Sequence, residues 1–219
     1  MKVLPLHTIK AVFTVMFVVV FTSINFAQEV SDDTIKEIDS MASKMFTDMN
    51  NRDYDAIIEM THPKVFDIVP KETMVSVFKS TLEGNSEFSI EIPKQIPEYK
   101  ISDVFKDKEG GSDYAFISYD MEMSMTFNNE IFDEDTKETM VKMMKMQGMD
   151  AEFVSDKTVH LNMLNRMTIL IKDESTNNKW AMINYDPDSP LFFQLLSATV
   201  IEKAKSYYQD LMIAQKKKD

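Results

Sequence analysis

Three methionines at alternate positions, Met121, Met123 and Met125, are the residues of this chain that most invite a chemical reading. They lie in the stretch Tyr-Asp-Met-Glu-Met-Ser-Met-Thr-Phe. Thioethers are soft ligands and select Cu(I). The same spacing suits a β-strand, in which residues two apart share a face. Such side chains stand about 7 Å apart along the strand, too far to share one ion unaided. With Tyr119 and Phe127 on the same side, the three methionines read as a packed apolar face. Because methionine adapts its shape, that face also suits the wall of a cavity for a small apolar ligand.

Other candidates are sparse. Beyond residue 28 the histidines are His62 and His160. His62 sits in a Thr-His-Pro turn, as a candidate general base or as a turn or capping residue. His160 falls with Asn162 on the polar face of its strand. With no His-Glu-x-x-His, these two do not make a zinc site. Asn165 interrupts an apolar face between Met163 and Met167; a buried amide needs partners, whether a ligand or a neighbouring backbone group. Trp180 completes the candidate lining of an interior. Asp186-x-Asp188 lacks the remaining ligands of a calcium loop, so helix capping by Asp188 or Ser189 accounts for it better. The chain has no cysteine and four glycines, with no Gly-rich phosphate loop, dinucleotide fingerprint or Gly-x-Ser-x-Gly. Thiol chemistry is excluded, and no cofactor or metal is expected.

The formal charge of −12 repels phosphate backbones, so nucleic acid is not an expected partner. The basic run Lys216-Lys217-Lys218 suits a helix C-terminus. At the start, Lys2 and Lys10 precede the apolar run Ala11 to Phe21, and Ala27 offers a cleavage site: the layout of a secretory signal peptide over 1–27. The uncharged run from Ala11 to Gln28 is marginal for a bilayer span. Cleavage would leave no stable membrane anchor. Without cysteine or Asn-x-Ser/Thr, the chain suits a bacterial protein exported to the periplasm or secreted.

The hydrophobic rhythm supplies the elements that must hold these residues. Thr34 to Glu37 fits a capping box, and Ile35, Ile38, Met41, Met45, Phe46 and Met49 follow at helical spacing. Tyr54, Ile57 and Ile58 mark a short second helix. A third begins at Pro70 and stops at Gly84. The period then becomes two. Phe88, Ile90 and Ile92 alternate, then Tyr99, Ile101 and Phe105. A long strand shows Ala115, Ile117, Tyr119, Met121, Met123, Met125 and Phe127 on one face. A second shows Val159, Leu161, Met163, Met167, Ile169 and Ile171 on one face, and a polar turn over 175–178 leads back into a hairpin ending at Tyr185. A Met-rich helix over about 133–148 is inserted between the long strands. A continuous last helix is expected over about 190–214, apolar nearly all round in its first half.

The order of three helices, then long strands closing in a hairpin, has a parallel. Asn51-Arg52-Asp53-Tyr54-Asp55-Ala56-Ile57-Ile58 resembles the second-helix opening of the NTF2-like (SnoaL-like, cystatin-like cone) superfamily. Pro70-Lys71-Glu72-Thr73-Met74 resembles its third-helix start. Asp173 to Ile183, with a charged turn before Lys179-Trp180, resembles its closing hairpin. The resemblance covers Thr34 to Tyr185. It implies a curved sheet wrapped on helices around a conical cavity, in a superfamily of isomerases, cyclases, dehydratases and plain binding domains. The inserted helix and the long last helix depart from its pattern.

The expectation is therefore an exported α+β domain over 28–219, with N-terminal helices packed on a curved antiparallel β-sheet. Its first functional reading is a binding or accessory domain. An interior from Met121, Met123, Met125, Asn165 and Trp180 would hold a small apolar ligand or be filled by its own helices. The alternatives are an acid–base enzyme of the isomerase or hydratase kind, with His62 or a buried carboxylate as base, and a partner-binding protein whose last helix forms a homodimer seam.

Overall fold

A computed structural model describes residues 32–187, 189 and 192–217; the expected signal peptide, Asp188, Pro190 and Lys218 lie outside them. Three helices come first: α1 (Asp32–Asn51), α2 (Tyr54–Met60) and α3 (Lys71–Glu83), with a 3-10 turn at Pro63–Asp67. The strands are β1 (Phe88–Glu91), β2 (Tyr99–Ile101), β3 (Phe105–Lys106), β4 (Asp113–Phe127), β5 (Met149–Phe153), β6 (Thr158–Lys172) and β7 (Trp180–Asn184). Helix α4 (Glu134–Met146) is inserted between β4 and β5. The chain closes with the short α5 (Phe192–Leu195) and the long α6 (Ala198–Lys216). The class is α+β, and the sheet is antiparallel.

Local chemistry explains most boundaries. Asp53 caps α2 by accepting the Ala56 amide, and Asp133 caps α4 by accepting that of Thr136. Helix α3 ends at Gly84, which takes a φ of 87°, and a Cβ there would collide with the Phe88 carbonyl oxygen. Asn177 and Asn178 adopt left-handed backbone in the β6–β7 turn. Helix α1 is already under way at Asp32, two residues ahead of the Thr34 capping box.

Strands β4 and β6, 15 residues each, pair along nearly their whole length. Strands β1, β2 and β3 line the outer edge of β4, and β5 and β7 line that of β6. The β4–β6 register breaks once. Between the pairs Tyr119–Arg166 and Met121–Met163, Asp120 faces two residues, Leu164 and Asn165. Asn165 takes a φ of 56°, and its backbone N–H donates to Asp120 Oδ1 at 2.8 Å. This is a β-bulge in β6, held by an asparagine because asparagine tolerates left-handed backbone.

The bulge corrects one expectation. Val159, Leu161 and Met163 do share the face of Met125, Met123 and Met121. Beyond it the parity reverses. Arg166, Thr168 and Leu170 continue that face, and Met167, Ile169 and Ile171 point to the other side.

The sheet is therefore covered on both faces over half its length. On one side Ala115, Ile117, Tyr119 and Leu170 pack under Ile38, Met45, Phe46 and Ile57 of α1 and α2. On the other, Tyr114, Phe116, Met167, Ile169 and Ile171 pack under Phe192, Leu196, Val200, Ile201 and Ala204. At the far end Met123, Val159 and Leu161 meet Ala151 of β5, with Val141 and Met144 of α4 against them. Met143 and Met146 of the same helix stay exposed, so only part of its methionine content packs.

The last helix is not continuous as expected. It breaks at Leu196–Ser197, where Ser197 turns extended (φ −67°, ψ 157°) and its Oγ accepts the Val200 amide. A serine followed by Ala-Thr-Val offers an N-cap, and that local bond outweighs the helical run. Of the expected homodimer seam, Val200 and Ile201 are buried against the chain's own sheet, whereas Phe193 stays exposed.

The bulge yields a paired prediction. Asn165→Gly keeps the left-handed turn and should leave stability within a few tenths of a kcal/mol, whereas Asn165→Val should cost about 1–3 kcal/mol. Urea unfolding followed by circular dichroism checks both.

Candidate functional site

A cavity of about 590 Å³ lies between helices α1–α3 and the sheet. Its roof comes from Met45, Met49, Ile57, Met74, Phe78 and Leu82, and its distal wall from Phe88 and Ile90 of β1. The floor is the shared face of β4 and β6, carrying Met121, Met123, Met125, Leu161 and Met163, extended by Met149 of β5. Met121 pairs with Met163, and Met163 with Met149, so three methionines cross adjacent strands in a row. The near end adds Met182 and Asn184 of β7 and Phe192 and Leu195 of α5. The size falls in the range of pockets that hold small organic ligands, about 300–1,000 Å³.

The floor is amphipathic along its length. The half beyond the bulge, at Met121 to Met125, is apolar. The near half carries Tyr119, Arg166, Thr168 and Asn184. Tyr119 and Arg166 are cross-strand partners, as are Thr168 and Asn184. Burial pushes the Tyr119 phenol up; a hydrogen bond with Thr168 and the Arg166 charge oppose that shift. Arg166 is the only charged side chain among the described lining residues, and no carboxylate or histidine is among them.

Three of the five expected lining residues, Met121, Met123 and Met125, are in the wall. Asn165 and Trp180 are not. The Asn165 amide lies on the α6 side, with Nδ2 3.6 Å from Met212 Sδ. Trp180 packs at the α1 side of the sheet, with the Lys172 ammonium 5.7 Å from its ring centroid. Arg166, Thr168 and Asn184 escape a reading by alternation: counted on from Met163 with a period of two, Arg166 and Thr168 fall on the opposite face. Only the extra residue of the bulge returns them to the cavity.

His62 is also outside the lining. It is 1% exposed, and its backbone N–H donates to the Met182 carbonyl at 2.9 Å. Its Nε2 lies 3.3 Å from Asp173 Oδ2 and 3.2 Å from Ser175 Oγ, and Ser175 Oγ donates to Asp173 Oδ1 at 2.7 Å. These groups recur in hydrolytic triads, but there the acid and the serine bond opposite ring nitrogens. Here both meet Nε2, and the buried Nδ1 has no hydrogen-bond partner. The arrangement ties the Asp173 turn to the end of α2. His160 lies on the polar far face, its Nδ1 3.4 Å from Ser124 Oγ. No cluster of three or more His, Cys, Asp or Glu suited to a metal occurs among the described residues.

No protein-family model matches this chain, and no curated protein or solved structure is significantly similar to it.

Burial holds the His62 pKa below its ordinary value, despite the opposing bond and charge of Asp173. The unfolded chain then binds the extra proton first as pH falls. Stability should be full near neutrality and decline as pH drops below about 6.5, the unfolded value. His62→Leu should flatten that decline between about pH 5 and 7, as thermal unfolding across a pH series would show.

Proposed function

We propose that this chain is an exported binding domain that holds a small apolar molecule in the methionine-lined cavity. The observation that carries the reading is the space itself: the early helices do not fill the concavity, and about 590 Å³ is left against a mostly apolar floor. Methionine walls adapt to ligands of differing outline, which suits capture better than geometric discrimination. Export follows from the layout of the first 27 residues. A cavity between the first helices and an antiparallel sheet is also the arrangement implied by the NTF2-like resemblance, and that kinship is part of the proposal. Among the described residues, no helix is long and apolar enough to cross a membrane.

The acid–base reading has less support. It called for a titratable base at the floor of the cavity, and His62 stands outside the lining, its Nε2 engaged by Asp173 and Ser175. The partner-binding reading also has less support, since Val200 and Ile201 of its proposed seam pack in the chain's own core.

Titration with the neutral probes N-phenylnaphthylamine and dodecanol should give saturable binding with dissociation constants on the order of micromolar. Met123→Trp, which fills the middle of the floor, should weaken both by about tenfold or more while circular dichroism stays native; lost packing fit would cost about 1–3 kcal/mol of stability. Absence of saturable binding, or binding indifferent to Met123→Trp, would remove the cavity from consideration.

A further inference from the structure

We infer that the cavity takes an amphipathic molecule with one anionic head, a long-chain carboxylate, and that Arg166 binds the head. The inference rests on the binding reading above and specifies its ligand class.

Arg166 is one of two arginines in the chain, and among the described residues that line the cavity it is the one with a charged side chain. Arg52, the other, donates to the Met49 carbonyl at 3.1 Å. Nine ion pairs are found among the described residues, and none includes Arg166. Nor does its guanidinium make any hydrogen bond found among them. A half-buried guanidinium presents five donors and cannot shed its charge, so leaving it without an acceptor is costly. A carboxylate answers it in two parallel bonds.

Position favours the same answer. Arg166 lies opposite Tyr119, immediately on the near side of the bulge. From Tyr119 to Met125 the floor runs six residues along β4, about 20 Å, and is apolar beyond the bulge. A molecule with its head at Arg166 would lay an alkyl chain along Met121, Met123 and Met125. The neutral donors and acceptors near the head are Tyr119, Thr168 and Asn184, which supply no second positive charge. One cation suits a monoanion better than a dianionic phosphate.

The surrounding field sharpens the assignment. The chain carries −12 overall, a field that opposes anions in general, so an anion needs a cation to hold it. A smaller adjoining depression of about 210 Å³ shares Met49, Tyr119 and Met121 with the main cavity and carries Glu98, Asp120 and Glu122. Asp120 Oδ1 accepts from the Asn165 backbone N–H, and none of the three acids pairs with Arg166. They disfavour an anionic head in that depression, whereas the main cavity offers it Arg166.

The test compares molecules with one tail and different heads on the purified protein at about pH 8, where a fatty acid is ionised in solution. Dodecanoate, dodecanol, dodecyl phosphate and dodecyltrimethylammonium would each displace N-phenylnaphthylamine. Dodecanoate should bind about ten- to a hundredfold tighter than dodecanol, the range for a hydrogen bond to a charged group. Arg166→Met should erase that preference, bringing dodecanoate level with dodecanol; Arg166→Lys should keep part of it. Equal binding of dodecanoate and dodecanol by the native protein overturns the inference while leaving the apolar cavity standing. So does tighter binding of the phosphate or the ammonium, or a carboxylate preference that survives Arg166→Met. If neither dodecanol nor dodecanoate binds, it is the binding reading that fails. Should Arg166→Met not fold, the head-group order on the native protein and on Arg166→Lys decides.

Discussion

The backbone N–H of Asn165, donating to Asp120 across the strand pair, secures the one irregularity on which both layers of this protein depend. Side chains in a strand alternate, so a single inserted residue exchanges the two faces of everything that follows. Met163 and Arg166 would stand on opposite faces of a regular strand, and here they share one. Without the bulge, Met167, Ile169 and Ile171 would turn toward α1–α3 and into the cavity. Arg166 and Thr168 would then be pressed beneath α6, where an unpaired guanidinium has no place.

Half of the sheet can be buried on both faces because the chain supplies a second cover. Helix α6 runs over the far face from Val200 to Met212, and Tyr207 meets Phe116 and, 3.2 Å away, the Ser118 hydroxyl. Its path reaches the bulge, where Asn165 meets Met212. Beyond that point the far face turns polar, with Ser124, Thr126, Thr158, His160 and Asn162. The Thr126 and Thr158 hydroxyls bond one another at 3.0 Å. Composition thus follows cover: apolar on both sides where helices lie on both, alternating where one face is left to water.

Methionine is well suited to a floor that is not tightly filled. An apolar void forfeits contacts for every atom that lines it, and rigid branched side chains cannot move to recover them. A thioether chain with three rotatable bonds can lean into the space when it is empty and withdraw when it is occupied. Stability and occupancy are then linked, because any molecule that fills the floor restores contacts that the free protein lacks.

Much of the framework was legible in the sequence because it rests on local rules. The period of two placed Met121, Met123 and Met125 on one face with Tyr119 and Phe127. Gly84 marked the end of the third helix through the backbone freedom of glycine. The polar turn of the β6–β7 hairpin was equally plain. The break at Ser197 was written in a local capping signal, but the apolar run around it concealed it. What tertiary structure alone decided was the sense of the second long strand. Asn165 showed as a polar interruption, yet its effect depends on a partner 45 residues away, Asp120, whose carboxylate it meets only once the strands are paired. That contact returned Arg166 to the cavity and carried Met167, Ile169 and Ile171 to the far face. Periodicity describes a strand relative to itself; which face becomes the interior is set by the residues it pairs with and the helices that cover it.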